Sequence, residues 1–372
     1  MTDVVHPDVD AQRAEVAAAF GRDLDPLAAY ATTFEGMAVD PFDLFVSDVL
    51  DSKGLAPSTH KAYDWVFEQW SGYMAREGRH PACPNDKHVV GFLQYCRDDC
   101  GNQPDTVRTK LRRLNKAYEY WQDAPAFPHP QDYNPFTLVL SKVDLSRPPL
   151  KEPPRIPIET LGEILHGVTN VRDRAAIVLQ FKLGLRASEL CNITIRDISI
   201  QNADLQQHYR ELGSHPALDS RPNAVYIPSR DERQGNKSRC PRVLPLDDEA
   251  RHALLRYLLI RPDTEEGWIF LSKTSHSQLD QEYLNSCWIR TFRPEYAETE
   301  EHRGVTSHFG RHRFTTYWRV ERDLNRELIK YMRGDTTQNS SLDDRGAIDD
   351  YIHTYYEDIE PLYREQIFKF GI

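Results

Sequence analysis

Four short segments in the second half of the chain carry residues that could act on a phosphate group. In the first, residues 184–190, Arg186 follows a glycine that ends a predicted helix, so its guanidinium can point into a cleft. The second is a polar hairpin at residues 229–240, which carries the isolated lysine Lys237. Each has an ordinary alternative, because arginines at turns and lysines at hairpin tips are common on protein surfaces.

The other two segments lie nearer the C-terminus. His308 and Arg311 open a predicted helix and share one of its faces, where backbone N–H groups and the helix dipole favour anions. Tyr351 is a candidate nucleophile, and Tyr355 and Tyr356 follow it closely. The simpler interpretations are that His308 only caps its helix and that the tyrosines fill a core or a surface.

The elements that position these segments are mainly helical. Apolar spacing predicts an α+β fold that is mostly α-helical with a small β-sheet, whose strands lie at 192–200, 224–228 and 242–246. The predicted organisation is an acidic arm, a helical domain, a stiff connector with five prolines in twelve residues, and a second domain. These four parts cover residues 1–39, 40–145, 146–157 and 158–372.

The charge distribution permits a nucleic-acid partner despite a net charge of −11. The first 52 residues hold eleven of the 57 acidic residues and only two of the 46 basic ones, so the rest of the chain is nearly balanced. Binding to DNA needs a local basic face rather than a basic total. The densest basic stretch lies on one predicted helix and could either contact DNA phosphates or form an ordinary solvated face. Its residues are Arg108, Lys110, Arg112, Arg113 and Lys116.

Several classes of protein are disfavoured by composition. No apolar run approaches the ~20 residues that cross a bilayer, and the acidic start has no signal-peptide core. The six cysteines are scattered without a CxxC pair, which argues against a disulfide framework. His80, Cys83 and His88 lack a second ligand pair at zinc spacing, so we expect no metal site. We expect a cytoplasmic protein that does not bind membranes.

Taken in order, these segments resemble the tyrosine recombinase or phage integrase family. The matching elements are GLRxSEL at residues 184–190, a hairpin with a lysine, HxxRH at residues 308–312 and Tyr-x-His at Tyr351. The resemblance covers residues 40–372 and implies a helical core-binding domain that binds DNA, followed by the family's catalytic domain. The acidic, lysine-poor composition suggests a salt-adapted, archaeal-type member.

Membership of this family implies a role for each matching residue. Arg186 and Arg311 would clamp the non-bridging oxygens of the scissile phosphate and stabilise the charge of the transition state. His308 would assist proton transfer, Lys237 would protonate the departing 5′ oxygen, and Tyr351 would form a 3′-phosphotyrosyl link. The link conserves the energy of the broken bond, and the family uses no metal ion or other cofactor.

The sequence departs from the family pattern at the second histidine, where it has Asp335. A carboxylate cannot donate a hydrogen bond to a phosphate unless it is protonated. Either Asp335 has a different catalytic part, or Arg333 or another donor substitutes, or activity is weakened.

Two further departures concern spacing. The stretch before Tyr351 is longer than usual, which keeps Tyr355 and Tyr356 as alternative nucleophiles. The family's lysine often lies a few residues earlier, where this chain has Gln234, so Lys237 is the lysine within reach.

The resemblance implies a site-specific DNA recombinase or integrase, of the kind carried by mobile elements, that acts on double-stranded DNA. We expect a monomer or dimer in free solution and a homotetramer on DNA. The alternatives are a catalytically impaired DNA-binding protein of the same fold and a type IB topoisomerase that relaxes DNA. The apolar side chains of the tail are predicted to contact a neighbouring subunit: Leu362, Ile367, Phe368 and Phe370.

Overall fold

The computed structural model describes residues 9–55, 57–145, 151–335 and 356–372. Over these ranges the protein is mainly α-helical with one three-stranded antiparallel sheet, which confirms the predicted fold class. The chain divides into two compact units, Met1–Leu150 and Lys151–Ile372. The division falls inside the proline-rich segment. No helix in the described parts of the chain is long and apolar enough to cross a membrane.

The N-terminal unit is all-helical. Its two longest helices begin at Pro57 and Pro104, where a missing N–H costs no hydrogen bond. Its α-helices are α1 (Val9–Ala19), α2 (Ala31–Glu35), α3 (Pro41–Phe45), α4 (Pro57–Arg76), α5 (Asp86–Gln94), α6 (Pro104–Asp123) and α7 (Pro135–Lys142).

Large aromatic side chains fill the core of the N-terminal unit. Trp70, Trp121 and Tyr118 are almost completely buried there. Leu27 and Phe34, from the predicted acidic arm, are buried in the same core. The core of the helical unit therefore extends into the predicted arm as far as Leu27, because burying these two apolar side chains stabilises their segment against the unit.

The C-terminal unit packs helices around one long buried core. Its helices are α8 (Ile158–His166), α9 (Val171–Leu183), α10 (Ala187–Cys191), α11 (Ala203–His208), α12 (Asp248–Leu258), α13 (Gln281–Phe292), α14 (His308–Thr316), α15 (Arg326–Arg333) and α16 (Tyr356–Gln366).

Helix α9 lies at the centre of the C-terminal unit. Every residue from Ala175 to Leu183 is buried, as expected for a helix without a solvent-facing stripe. It packs against α12 and α14. Gly184 ends α9 in the left-handed conformation, with φ of 62°, which confirms the predicted glycine cap. The end of the most buried helix thus leads straight into the segment that carries Arg186.

The sheet has the order β1 (Ile198–Ser199), β2 (Ala224–Ile227) and β3 (Arg242–Pro245). Its register pairs Ile198 with Val225 and Val225 with Leu244. The predicted first strand was wrong before residue 198, because Asp197 accepts hydrogen bonds from the N–H and hydroxyl of Thr194 and closes a 3₁₀ turn.

The end of the chain packs on its own C-terminal unit. Within the single chain, Ile367, Phe368 and Phe370 are buried in that unit's own core, and their contact with a neighbouring subunit stays a prediction for the DNA-bound assembly. Lys182, at the end of α9, donates to the carbonyl oxygen of Phe368, and Glu249 accepts the amide of Phe370 at 2.9 Å. These bonds attach the tail to α9 and α12.

Candidate active site

Arg186 stands between the left-handed cap of α9 and the first turn of α10. Its backbone N–H donates to Oε2 of Glu189 at 2.9 Å, and its Nη1 donates to Oε1 of Glu189 at 3.1 Å. Nη1 also contacts Oγ of Ser238 at 3.2 Å. These contacts hold the guanidinium of Arg186 through Nη1, so its Nη2 can bind a different partner.

Arg311 lies in the first turn of α14 and is almost completely buried. Its Nη1 donates to the carbonyl oxygen of Gly184 at 2.8 Å, and its Nη2 donates to that of Arg333 at 2.9 Å. Burial, followed by the charge of Arg186, lowers the pKa of Arg311 to about 9. The guanidinium remains protonated at neutral pH, but little solvent surrounds its charge.

The two arginines meet at a single carboxylate oxygen. Nη2 of Arg186 lies 2.9 Å from Oδ1 of Asp335, and Nη2 of Arg311 lies 2.8 Å from the same atom. Arg333 forms an ion pair with the other oxygen, its Nε lying 2.7 Å from Oδ2. The predicted residues Arg186, Arg311 and Asp335 therefore come together, and the donors converge on a position that holds an anion.

Glu189 stabilises this arrangement through hydrogen bonds to neighbouring side chains. It is fully buried and accepts hydrogen bonds from Ser238 at 2.6 Å and from Nη2 of Arg242 at 3.1 Å. Burial opposes its ionisation, yet Arg242, Ser238 and the amide of Arg186 lower the pKa of Glu189 to about 2. Glu189 is thus a permanent negative charge behind Arg186 at neutral pH.

Arg242 and Ser238 are site residues that the sequence did not single out. Arg242 is buried at the start of β3, and its Nε donates to the carbonyl oxygen of Met332 at 2.8 Å. The signal that could have identified Arg242 is its position, because it is a charged residue at the start of a strand whose other residues are buried. Its partner Glu189 is too distant in sequence for the pairing to be visible.

His308 begins α14 and remains exposed to solvent on one side. Its ring lies edge-on to that of His312, with centroids 4.6 Å apart. Packing of protein atoms around the ring, followed by the charges of His312, Arg311 and Arg186, lowers the pKa of His308 to about 4. The imidazole is neutral at pH 7, so it can accept or donate a hydrogen bond but adds no charge.

Lys237 is exposed on the 229–240 loop, between two buried neighbours. Asn236 donates to the carbonyl oxygen of Pro228 at 2.8 Å and accepts from Asn192 at 2.9 Å. Ser238 contacts both Arg186 and Glu189. These hydrogen bonds fix the backbone on both sides of Lys237. Lys237 is therefore held one residue from Ser238, which contacts Arg186. The ammonium group of Lys237 itself is exposed and can meet a substrate.

Of the three candidate nucleophiles, only Tyr356 lies within the described residues; Tyr351 and Tyr355 lie outside them. Tyr356 is buried against the sheet, with Tyr226 and Val243. Burial, followed by the nearby carboxylate of Glu360, raises the pKa of Tyr356. A buried phenol with a raised pKa is a poor nucleophile, which leaves Tyr351 and Tyr355 as the better candidates.

The basic residues of α6 do not share a single exposed face. Arg112 and Lys116 are exposed, as contact with phosphates requires. Arg108 and Arg113 are half-buried and donate to the carbonyl oxygens of Leu145 and Ala62 respectively.

The prediction of DNA contact is wrong for Lys110. Only 1% of Lys110 is exposed, and its ammonium group donates to Gln69 at 2.7 Å and to Asn102. It also lies 4.4 Å from the centre of the Trp65 ring. The lysine connects helices inside the unit and cannot reach an outside phosphate.

The parts of the chain that the structure describes contain no group of three His, Cys, Asp or Glu side chains placed to hold a metal ion. The charge at the site comes from guanidinium groups. Paired guanidiniums with a neutral imidazole and a nearby lysine suit phosphoryl transfer, since they stabilise added charge on a phosphate and can move a proton.

A helical unit that brings this arginine pair together with an imidazole and a lysine is suited to chemistry on a phosphodiester. Residues 157–334 match the model of the phage integrase family. The chain is 22% identical over 291 residues to the tyrosine recombinase XerD of Listeria innocua serovar 6a, covering 75% of this chain and 84% of that protein. It is 24% identical over 313 residues to the tyrosine recombinase XerC of a Roseiflexus species, covering 80% and 88%. Residues 157–334 of this chain thus match a phage integrase domain, and the chain is similar to tyrosine recombinases over most of its length.

Solved structures show the same fold at low sequence identity. A lambda integrase tetramer bound to a Holliday junction aligns over 91% of this chain and 89% of its own, with a TM-score of 0.58 and 15% identity. The Tn1549 transposon integrase in complex with transposon right end DNA aligns over 82% and 96%, with a TM-score of 0.57 and 17% identity. The likeness extends over both units of the chain.

Proposed function

We propose that this protein is a site-specific recombinase or integrase that cleaves and rejoins double-stranded DNA through a 3′-phosphotyrosyl intermediate. The observation that carries the proposal is the convergence of Arg186 and Arg311 on one oxygen, at 2.9 and 2.8 Å. Two guanidiniums that meet at one point can bind one phosphate group, and the buried Arg311 interacts with it in a region of low dielectric constant.

The proposed chemical step combines these arginines with Lys237, His308 and Tyr351, the nucleophile that the family pattern implies. The phenolic oxygen of Tyr351 attacks the phosphorus, and the bond to the 5′ oxygen breaks as Lys237 gives that oxygen a proton. The phosphate gains one negative charge in the transition state, which Arg186 and Arg311 stabilise more strongly than the single charge of the ground state. Neutral His308 takes the phenolic proton, because the negative charge of the phosphate bound to Arg186 and Arg311 offsets the positive charges that lower its pKa in the free protein. Reversal of these steps with a new 5′ hydroxyl rejoins the strand.

Binding to DNA is proposed for both units. In the N-terminal unit the exposed Arg112 and Lys116 are the side chains of α6 best placed for phosphate contacts. The tetramer on a Holliday junction in the lambda integrase structure supports a homotetramer of this protein on its DNA. We also propose a cytoplasmic location, where a recombinase of this family has access to DNA.

The test is covalent trapping on a nicked duplex. The site is first enriched by binding the protein to duplexes with a randomised core, and the enriched duplex is then nicked so that the cleaved strand cannot be religated. We expect the wild-type protein to form an adduct that survives denaturant, and we expect Tyr351→Phe to form none. Tyr355→Phe and Tyr356→Phe serve as matched controls that should keep the adduct.

Each other outcome selects an alternative. An adduct that persists in Tyr351→Phe but is lost in Tyr355→Phe moves the nucleophile to Tyr355. Tight binding of the enriched duplex without an adduct in any variant selects the catalytically impaired DNA-binding protein, which the occupation of the arginine pair by Asp335 favours. Relaxation of a supercoiled plasmid without strand exchange selects the topoisomerase.

A further inference from the structure

The carboxylate of Asp335 occupies the position in which the arginine pair would hold a phosphate. Its place is set by the end of α15, where the N–H of Gly334 donates to Tyr331 at 2.9 Å and that of Asp335 donates to Lys330 at 3.0 Å. With φ of 64° at Gly334, these two bonds form a Schellman motif. Asp335 is therefore presented to the arginines by a defined helix end.

Arg311 has no spare donor at its Nη2 nitrogen. One hydrogen of Nη2 is directed to the carbonyl oxygen of Arg333 and the other to Oδ1 of Asp335. Nη1 of the same side chain is bound to Gly184. A phosphate can receive a hydrogen bond from Nη2 of Arg311 only if Asp335 gives its bond up.

Electrostatics also disfavours simultaneous occupation. A phosphodiester beside the ionised carboxylate would place two negative charges on the same two Nη2 donors, and like charges at contact distance repel each other. The repulsion would increase in the transition state, when the phosphate carries a second charge.

We propose that Asp335 is an internal substitute for the scissile phosphate. Its carboxylate keeps Arg186 and Arg311 aligned and neutralised while no DNA is bound, and the scissile phosphate must displace it. The inference rests on the proposed function for the identity of the displacing group, but the occupied state of the arginine pair is independent of cleavage. Asp335 is in this sense a positioning residue.

Arg333 provides a second position for the displaced charge. Its Nε is already 2.7 Å from Oδ2 of Asp335, and its Nη1 is held by Oγ1 of Thr315 at 2.9 Å. When Oδ1 leaves the arginine pair, the carboxylate keeps this ion pair, so the exchange does not leave Asp335 without a counter-charge. A modest rotation of the side chain can therefore release the site without unfolding the end of α15.

The exchange makes the site selective for a phosphate whose molecule also contacts the protein elsewhere. A free inorganic anion gains only the two arginines and must compete with a carboxylate that is covalently attached nearby. A phosphate within DNA is delivered by the rest of the interface, which raises its effective concentration at the arginines. Asp335 thus discriminates against anions from solution.

Binding of inorganic phosphate to the DNA-free full chain tests the proposal by isothermal titration calorimetry. We expect Asp335→Asn to bind phosphate roughly tenfold or more tightly than the wild type, because one charge-assisted competitor is lost. Asp323→Asn is the matched control, since it removes one exposed carboxylate that pairs only with Arg319 and should leave the affinity unchanged. Asp335→Ser provides a second variant if Asp335→Asn is poorly folded.

The location of the new affinity is tested by adding Arg186→Gln to Asp335→Asn, which should remove the gain. Equal phosphate affinity in wild type and both Asp335 variants would overturn the proposal, as would a gain that survives Arg186→Gln. The trapping experiment above is a separate measurement. A gain in phosphate affinity without any covalent adduct would retain the role of Asp335 and reject the recombinase, and the reverse result would do the opposite.

Discussion

Glu189 binds Arg186 twice, through the backbone amide at 2.9 Å and through the guanidinium at 3.1 Å. The same carboxylate neutralises the buried Arg242, so one acidic residue both orients Arg186 and compensates the charge behind it.

The first prediction concerns the removal of this charge. Glu189→Gln should lower the free energy of unfolding by about 3 kcal/mol, because Arg242 is left buried without a counter-charge. It should also slow adduct formation, because Arg186 loses its orientation. Urea unfolding and single-turnover trapping measure the two effects. Glu327→Gln, which breaks a partly exposed ion pair with Lys330, should cost less than about 1 kcal/mol.

The pH dependence of Glu189 gives a second prediction. The pKa of Glu189 is about 2 in the folded protein and close to 4.5, the ordinary value for a glutamate, in the unfolded chain. Its ionised form therefore stabilises the fold above pH 4.5, and this contribution is lost as the pH falls from 4.5 towards 2. The difference in stability between wild type and Glu189→Gln should shrink over that interval. A constant difference from pH 6 to pH 3, measured by urea unfolding, would contradict the assignment.

A third prediction is that His308 stays neutral until strongly acid pH. Its pKa of about 4 reflects packing of protein atoms around the ring and the positive charges beside it. Binding of an anion to Arg186 and Arg311 adds a negative charge and should raise this pKa. NMR titration of the histidine ring signals, assigned with His308→Gln, measures both values. Titration of His308 near 6.5 in the DNA-free protein would show that the arginines do not act on it.

The fourth prediction concerns Lys182, which is fully buried and lies 2.8 Å from Asp247 and 2.6 Å from Glu249. Lys182→Met should destabilise the protein by about 3–5 kcal/mol, because two carboxylates lose their shared cation. It should also loosen the tail, since the bond to Phe368 is lost. Unfolding curves and carboxypeptidase digestion measure these effects. The control Lys330→Met should change neither, as its ion pair lies near the surface.

The fifth prediction separates the basic residues of α6. Arg112→Ala and Lys116→Ala should each reduce the slope of log affinity against log salt by about 1, because each removes one phosphate contact. Lys110→Met should leave that slope unchanged and lower the free energy of unfolding by about 2 kcal/mol, through the loss of its buried hydrogen bonds. Fluorescence anisotropy with the enriched duplex at several salt concentrations distinguishes the two behaviours.

Local signals in the sequence predicted much of the fold. Gly184 ends α9 as expected, and the apolar spacing predicted a mainly helical fold with a small sheet. The failed prediction for Lys110 had a visible cause. It lies three residues after Val107 and four before Leu114, both buried, so helical spacing alone places it on the inner face of α6.

Other features of the site depend on contacts between distant residues. Arg242 and Glu189 pair across 53 positions, and Asp335 reaches Arg186 across 149. No local pattern reports such pairs, because they arise only when α15 and β3 pack beside the end of α9. The family pattern placed Asp335 near the site, but only the folded chain shows its carboxylate between the two arginines.

Helix α9 has a consequence for how the enzyme loses activity. Its residues from Ala175 to Leu183 are buried, and Gly184 joins them to Arg186 while its carbonyl oxygen binds Arg311. The amides of such a helix exchange with solvent through the largest, nearly global opening of the unit rather than through local fraying. Both arginines are therefore attached to the last segment to open. Thermal inactivation should follow the global unfolding of the catalytic unit, with no partly opened form that keeps the core but scatters the arginine pair.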